Sequence, residues 1–297
     1  MELLCFDHVY KRFGEKEVLK GLSLSVPEHS IFGFVGKNGA GKTTAMKLAL
    51  GLLKPEDGVI RLGRETVRYG QTATNRWVGY LPDVPEFYSF LSAGEYLSLC
   101  GKITGVPHGE LQARCGELLE LVGLSGEHRR IKGFSRGMKQ RLGIAQALLH
   151  RPKLLLCDEP TSALDPMGRK DILELLSAVR EQTTVLFSTH ILSDVERICT
   201  DVAVLNDGKA ELQGSLSALK QRYGDGEYLL ELPRREDAER LLRRFPEVKE
   251  GIGHQLVFSE TLLCEVLGFA AEQKLRPVRL ERQEPSLEAL FMEVVEP

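Results

Sequence analysis

The nine residues GKNGAGKTT, Gly36 to Thr44, fit the pattern GxxxxGK[ST] and stand between a buried apolar run and a helical one. Glycines at 36, 39 and 41 let the backbone N–H groups around Asn38, Gly39 and Ala40 turn inward on phosphate oxygens. A helix opening at this point adds its partial positive charge. Lys42 is set to reach the β- and γ-phosphates of a nucleotide, Thr43 to offer a hydroxyl to Mg²⁺, and Thr44 to follow in the first helical turn. A second run, LLLCDEP (154–160), ends in two carboxylates. Asp158, at the carboxyl end of a buried strand, can hold Mg²⁺ through a water. Glu159 is the acid that can polarise a water attacking a γ-phosphate. Two loop acids capping the next helix is the plainer alternative, and the Gly-rich loop weighs against it.

A third stretch, KGFSRGMKQR (132–141), puts Ser135 and Gly137 at the head of a helical pattern inside a cluster of positive charge. No histidine or acid neighbours that serine, so it is not built as a nucleophile. His190 ends FSTH, beside the expected phosphate site, where it can touch a γ-phosphate and orient Glu159. A satisfied structural histidine is the alternative.

Positioning these groups requires strands that end at one edge. SIFGFVG (30–36), KLLLCDEP (153–160) and TTVLFSTH (183–190) read as buried strands, alternating with helical KTTAMKLALGLL and GRKDILELLSAVREQ. That alternation predicts an α/β domain with a mainly parallel sheet. Residues 92–128 read as a helical insert. The pattern resets near 215–225, which predicts a domain over 1–220, with a helical subdomain at about 84–150, and a small α+β domain over 221–297. In the latter, EYLLELP, HQLVFSE and PVRLER read as strands. EDAERLLRRF, TLLCEVLGFAAEQ and SLEALFMEVV read as helices.

The chain has 297 residues, a net charge of −3 and 27% charged residues, a balance that gives no whole-chain argument for nucleic acid. Six scattered cysteines without CxxC spacing point away from zinc or a disulfide framework and toward a reducing compartment. No apolar run approaches the length that spans a bilayer, so work at a membrane would need another chain to do the spanning.

With these motifs in this order, residues 3–215 resemble the ATP-binding cassette (ABC) ATPases. GKNGAGKTT looks like Walker A, LLLCDE like Walker B, FSRGMKQR like a variant of the LSGGQ signature and SALD (162–165) like the D-loop. His190 looks like the switch histidine, and Phe13 in VYKRFG matches the aromatic that stacks on adenine. The resemblance implies a P-loop NTPase cassette with a mainly parallel core sheet, an antiparallel N-terminal β part, a helical insert and a small α+β C-terminal domain. It implies ATP and Mg²⁺, hydrolysis, and head-to-tail pairing of two cassettes. In such a pair Ser135 and Gly137 donate in trans to ATP on the opposite subunit, and Asp165 sits at the interface. Its bland alternative is a helix cap before Pro166. A homodimer is the simplest closure. The partner implied is an integral membrane permease, which would hold the chain on the cytoplasmic face of the membrane with no membrane contact of its own. The exporter branch is implied by SRGMKQR.

Two departures stand out. Arg136 and Met138 replace a glycine and a glutamine in the signature, and Asp83 in VGYLPDVPEF occupies the usual Q-loop glutamine position. An acid there is expected to reach a magnesium-bound water and couple the site to the helical insert. Phe87, Tyr88 and Phe90 are candidate dock residues for the permease, with core packing as the rival role, while Trp77 and Tyr80 are read as packing residues. The cluster Arg129, Arg130, Lys132, Arg136, Lys139 and Arg141 is read as attraction for the partner's nucleotide rather than a nucleic-acid patch; no nucleic acid is expected. A soluble ABC ATPase acting on ribosomes or DNA is the alternative function.

Overall fold

The computed structural model describes residues 1–71, 73–223, 226–283, 287–288 and 290–291. It divides into two compact units, Met1–Leu216 and Ser217–Pro297. In the first, β1 (Glu2–Phe13) and β2 (Lys16–Pro27) form a long hairpin. The strand β3 (Ile31–Val35) and helix α1 (Lys42–Ala49) follow, then β4 (Asp57–Leu62), β5 (Glu65–Thr66) and β6 (Val78–Leu81). Helices α2 (Ala93–Ile103), α3 (His108–Leu121) and α4 (Arg136–Ala147) come next. The chain then alternates through β7 (Leu154–Asp158), α5 (Pro166–Val179), β8 (Thr184–Thr189), α6 (Leu192–Ile198), β9 (Asp201–Asn206) and β10 (Lys209–Ser215).

The core sheet runs β10-β9-β3-β8-β7-β6, parallel except for the β9–β10 pair. Its central strands IFGFV, LLLCD and TVLFST are buried at every residue, as expected when both faces of a parallel sheet are covered. A separate antiparallel sheet runs β2-β1-β4-β5. Leu4, Phe6, Leu22 and Leu24 from that sheet share one core with Phe32, Phe34, Met46 and Leu156. The α/β class and the antiparallel N-terminal part expected from the sequence are both present. Parallel order brings the carboxyl ends of β3, β7 and β8 side by side, and the loops that carry Lys42, Glu159 and His190 leave from that edge.

Local sequence explains the helix starts. Ser92 and Glu95 form a reciprocal capping box on α2. Ser135 caps α4 by accepting from the Met138 N–H at 3.2 Å, and Asp165 caps α5 by accepting from the Gly168 N–H at 2.8 Å, with Pro166 at the first helical position.

The second unit takes up at Ser217, inside α7 (Leu216–Tyr223). It continues as a β-α-β-β-α-β series: β11 (Glu227–Glu231), α8 (Arg235–Arg244), β12 (Lys249–Glu250), β13 (Gln255–Ser259), α9 (Leu263–Glu272) and β14 (Arg279–Arg282). The sheet order is β12-β13-β11-β14, all antiparallel. Leu230, Leu256 and Phe258 pack with Leu241 and Val266 into the unit's own core. The terminal SLEALFMEVV lies mostly outside the described residues. Among those described, no helix is long and apolar enough to cross a membrane.

Candidate functional site

The loop between β3 and α1 turns back on itself. Gly41 has φ +111°, and a Cβ there would stand 2.8 Å from Leu19 Cδ2 and 3.1 Å from the Val18 carbonyl oxygen, so only glycine suits the position. Lys42 follows, 5% exposed. Its Nζ donates to the Gly36 carbonyl at 2.6 Å and stands 3.3 Å from Glu159 Oε1. One residue on, the Thr43 hydroxyl donates to Asp158 Oδ2 at 2.7 Å.

Asp158 is 3% exposed, and its other oxygen accepts from Ser188 Oγ at 2.6 Å. The same Ser188 oxygen accepts the Glu159 N–H at 3.0 Å. Ser188 therefore ties together the two acids at the end of β7. Glu159 is held at φ +46°, a left-handed conformation that costs a non-glycine residue energy and that collects at functional sites. His190 Nδ1 lies 2.9 Å from Glu159 Oε2. Glu159 Oε1 is buried and makes no hydrogen bond among the described residues; the Lys42 ammonium is the cation beside it.

Lys42, Thr43, Asp158, Glu159 and His190 line one cleft of about 610 Å³, with Phe13, Asn38, Gly39, Gly41, Thr44 and Asp83 also on its wall, while Gly36, Ala40 and Ser188 are not on it. Phe13 ends β1 with about half its surface exposed, and the Lys11 ammonium stands over its ring. A larger cavity of about 750 Å³ lies around the α2–α3 turn and His150, and it contains none of these residues. Two neighbours on the sheet mark the cleft's electrostatics. Burial, helped by the charges of Asp158 and Asp83, pushes the Tyr80 hydroxyl up to about 12. Complete burial pushes the Cys157 thiol up as well, which suits an inert core residue.

Ser135, Gly137 and Asp165 are not on the cleft wall. Asp83 is on it, with Oδ1 accepting from Ser162 Oγ at 2.5 Å and its main-chain oxygen accepting from Gln140 Nε2 at 2.8 Å. Tyr80 packs against the core, and Trp77 does so with the Arg76 and Lys153 cations over its ring. Phe87 meets Tyr96 edge-on at 5.1 Å, while Tyr88 and Phe90 are mostly exposed. In the basic cluster, Arg129 pairs with Glu127 and Arg130 with Glu95.

The donor chemistry fits a small divalent cation. Thr43 Oγ1 and Asp158 Oδ2 are adjacent oxygen donors of the kind Mg²⁺ prefers. The Gly-rich loop at the start of α1 and the buried Lys42 ammonium are chemistry suited to phosphate oxygens. Ser188 and Ser162, which orient the acids, were not singled out from sequence. The signal for Ser188 was present, since it stands two residues before His190 in the run that ends β8.

The chain is similar to known proteins. The family profile described as ABC transporter matches residues 19–162. The uncharacterized ABC transporter ATP-binding protein YxlF of Bacillus subtilis is 37% identical, over 99% of this chain and 99% of its own length. The chain belongs to the ABC transporter ATP-binding proteins. Other relatives of this ABC ATPase include the linearmycin resistance ATP-binding protein LnrL of Bacillus subtilis, 32% identical over 98% of this chain and 97% of that protein. The bacitracin transport ATP-binding protein BcrA of Bacillus licheniformis is 40% identical over 71% and 69%. The solved structure of an ATP-binding subunit of an ABC transporter aligns with TM-score 0.66 and 30% identity, over 75% of this ABC ATPase and 93% of that chain.

Proposed function

We propose that this ABC ATPase drives export through a separate membrane-spanning permease, as a head-to-tail homodimer on the cytoplasmic face of the membrane. One observation carries the reading. The Gly-rich loop with Lys42 and the Glu159–His190 pair meet on one cleft, whereas Ser135 and Gly137, which this reading makes phosphate donors, lie off that cleft in the same chain. A site completed by a second copy accounts for both facts. The names of LnrL and BcrA support export of an antibiotic-like cargo.

In this reading the amides of Asn38 to Gly41 and the Lys42 ammonium hold the nucleotide's phosphates, and Phe13 stacks on its base. Mg²⁺ would be held by Thr43 and, through water, by Asp158, with Asp83 reaching it only through water; bound there, it would offset phosphate charge. Glu159 takes the proton of the attacking water. His190 fixes the carboxylate's orientation through its Nδ1 contact, and Lys42 balances the charge at Oε1. Asp165, at the α5 cap, lies at the subunit interface. Phe87, Tyr88 and Phe90 receive the permease.

Tagged full-length protein, recovered from detergent-solubilised membranes of its source, is expected to bring down a multi-span membrane protein in stoichiometric amount. Recovery only with ribosomes or nucleic acid would overturn the transporter reading.

A further inference from the structure

Two of the three residues that depart from the family pattern, Asp83 and Arg136, lie 53 positions apart and meet in space. Arg136 Nη2 is 3.5 Å from Asp83 Oδ1 and 3.4 Å from Ser162 Oγ, and that serine hydroxyl donates to the same carboxylate oxygen. The ion pair is half exposed, and alone it would be worth little. Its setting makes it more than a surface contact. Arg136 and Gln140 stand one turn apart on α4, and together they take Asp83 by its side chain and by its main-chain oxygen. Gln140 is fully buried.

Further along the same face α4 lies directly against β6. A Cβ on Gly143 would fall 2.5 Å from Leu81 Cδ1, and one on Gly79 would fall 2.2 Å from the Ala147 oxygen. The helix that begins at Ser135 is therefore seated along residues 79–85, with the Arg136–Asp83 contact at the end next to the cleft.

We propose that Arg136 is a positioning residue for ATP hydrolysis, which by gripping Asp83 and Ser162 fixes the head of α4, and with it Ser135 and Gly137, against the rim of its own cleft so that they are held for the partner's nucleotide. An acid at position 83 adds negative charge beside a phosphate site, and the guanidinium balances it. The family's neutral glutamine and glycine are thus replaced by a compensated pair. This rests on the reading that Ser135 and Gly137 act on the partner's nucleotide.

The test is a double-mutant cycle on the full chain with Arg136→Ala, Asp83→Asn and the two combined. ATPase turnover is measured directly, and ATP-driven pairing by sedimentation in a Glu159→Gln background. Each single variant is expected to lose about two- to fivefold in both readouts, the range of a partly exposed ion pair. The double variant should lose no more than the worse of the two singles, because either change alone already breaks the grip. Arg136→Lys, which keeps the charge, should lose less than Arg136→Ala, and it replaces that variant if the alanine protein melts early. Singles equal to wild type, or losses that multiply in the double, would overturn the proposal while leaving the dimer reading intact. A wild-type chain that binds ATP without pairing would overturn both.

Discussion

Glu159 and His190 act as one unit if the 2.9 Å contact between them is what aims the carboxylate. Removing a general base costs about a hundredfold or more in turnover, so Glu159→Gln should fall by at least that, with nucleotide still bound. His190→Ala should lower kcat more than it changes KM. Combining the two should cost no more than Glu159→Gln alone, because an orienting group has no work left once the base is gone. Multiplying losses would instead give His190 a separate contact with the phosphate. A second histidine tests a different effect. His150 donates from Nε2 to the Val78 oxygen, and its Nδ1 is buried with no hydrogen-bond partner among the described residues. Burial holds its pKa below the ordinary histidine value, and the Val78 hydrogen bond opposes only part of that. Between the folded and unfolded pKa values the unfolded chain takes up a proton that the folded chain refuses. Stability should therefore drop as pH falls through the ordinary histidine range, and level off below the folded pKa. Urea midpoints from pH 8 to pH 5 should show that decline in wild type and a flatter curve in His150→Gln.

The helices and strands assign two jobs to single residues, and α4 is the clearest case. Ser135 caps its own helix through the Met138 N–H, so loss of function in Ser135→Ala could come from the cap alone. Ser135→Asp separates the roles. Aspartate is as good a cap as serine, whereas the loss of a cap costs about 1 kcal/mol. A negative charge facing a phosphate is repelled. The variant should keep its thermal midpoint and lose ATP-driven pairing; full ATPase activity would restrict Ser135 to capping. This element also shows what was legible in the sequence. The loop at 36–44, the acids at 158–159 and the buried runs of β3, β7 and β8 could be read because each motif is contiguous and its chemistry is local. Ser188 under both acids and Arg136 against Asp83 could not, because they are tertiary contacts between segments whose order in space differs from their order in sequence. The core order β10-β9-β3-β8-β7-β6 has the same origin: helical crossovers separate neighbours, and only packing chooses among them.

At the scale of the whole molecule the question is whether one chain holds a complete site. Lys42 lies on the cleft, and Ser135 and Gly137 do not, although all three belong to one compact unit. If two copies close head to tail, each site takes its cradle from one subunit and its trans donors from the other. Lys42→Ala and Ser135→Asp should then each be inactive alone, since either one spoils both sites of its homodimer. In a mixed dimer the two lesions fall on the same site. The other site keeps an intact Lys42 from the Ser135→Asp chain and an intact Ser135 from the Lys42→Ala chain. Equal mixing makes half of the dimers mixed, each with one intact site, so about a quarter of wild-type ATPase should return if the sites fire independently. Recovery should rise with the concentration of the second variant and vanish on dilution below the pairing range. Hydrolysis that requires both sites to fire together would give no recovery here, yet would still leave each homodimer able to bind ATP unless Lys42 is lost. A self-contained site would instead leave Ser135→Asp active by itself, and the first homodimer assay would reveal it.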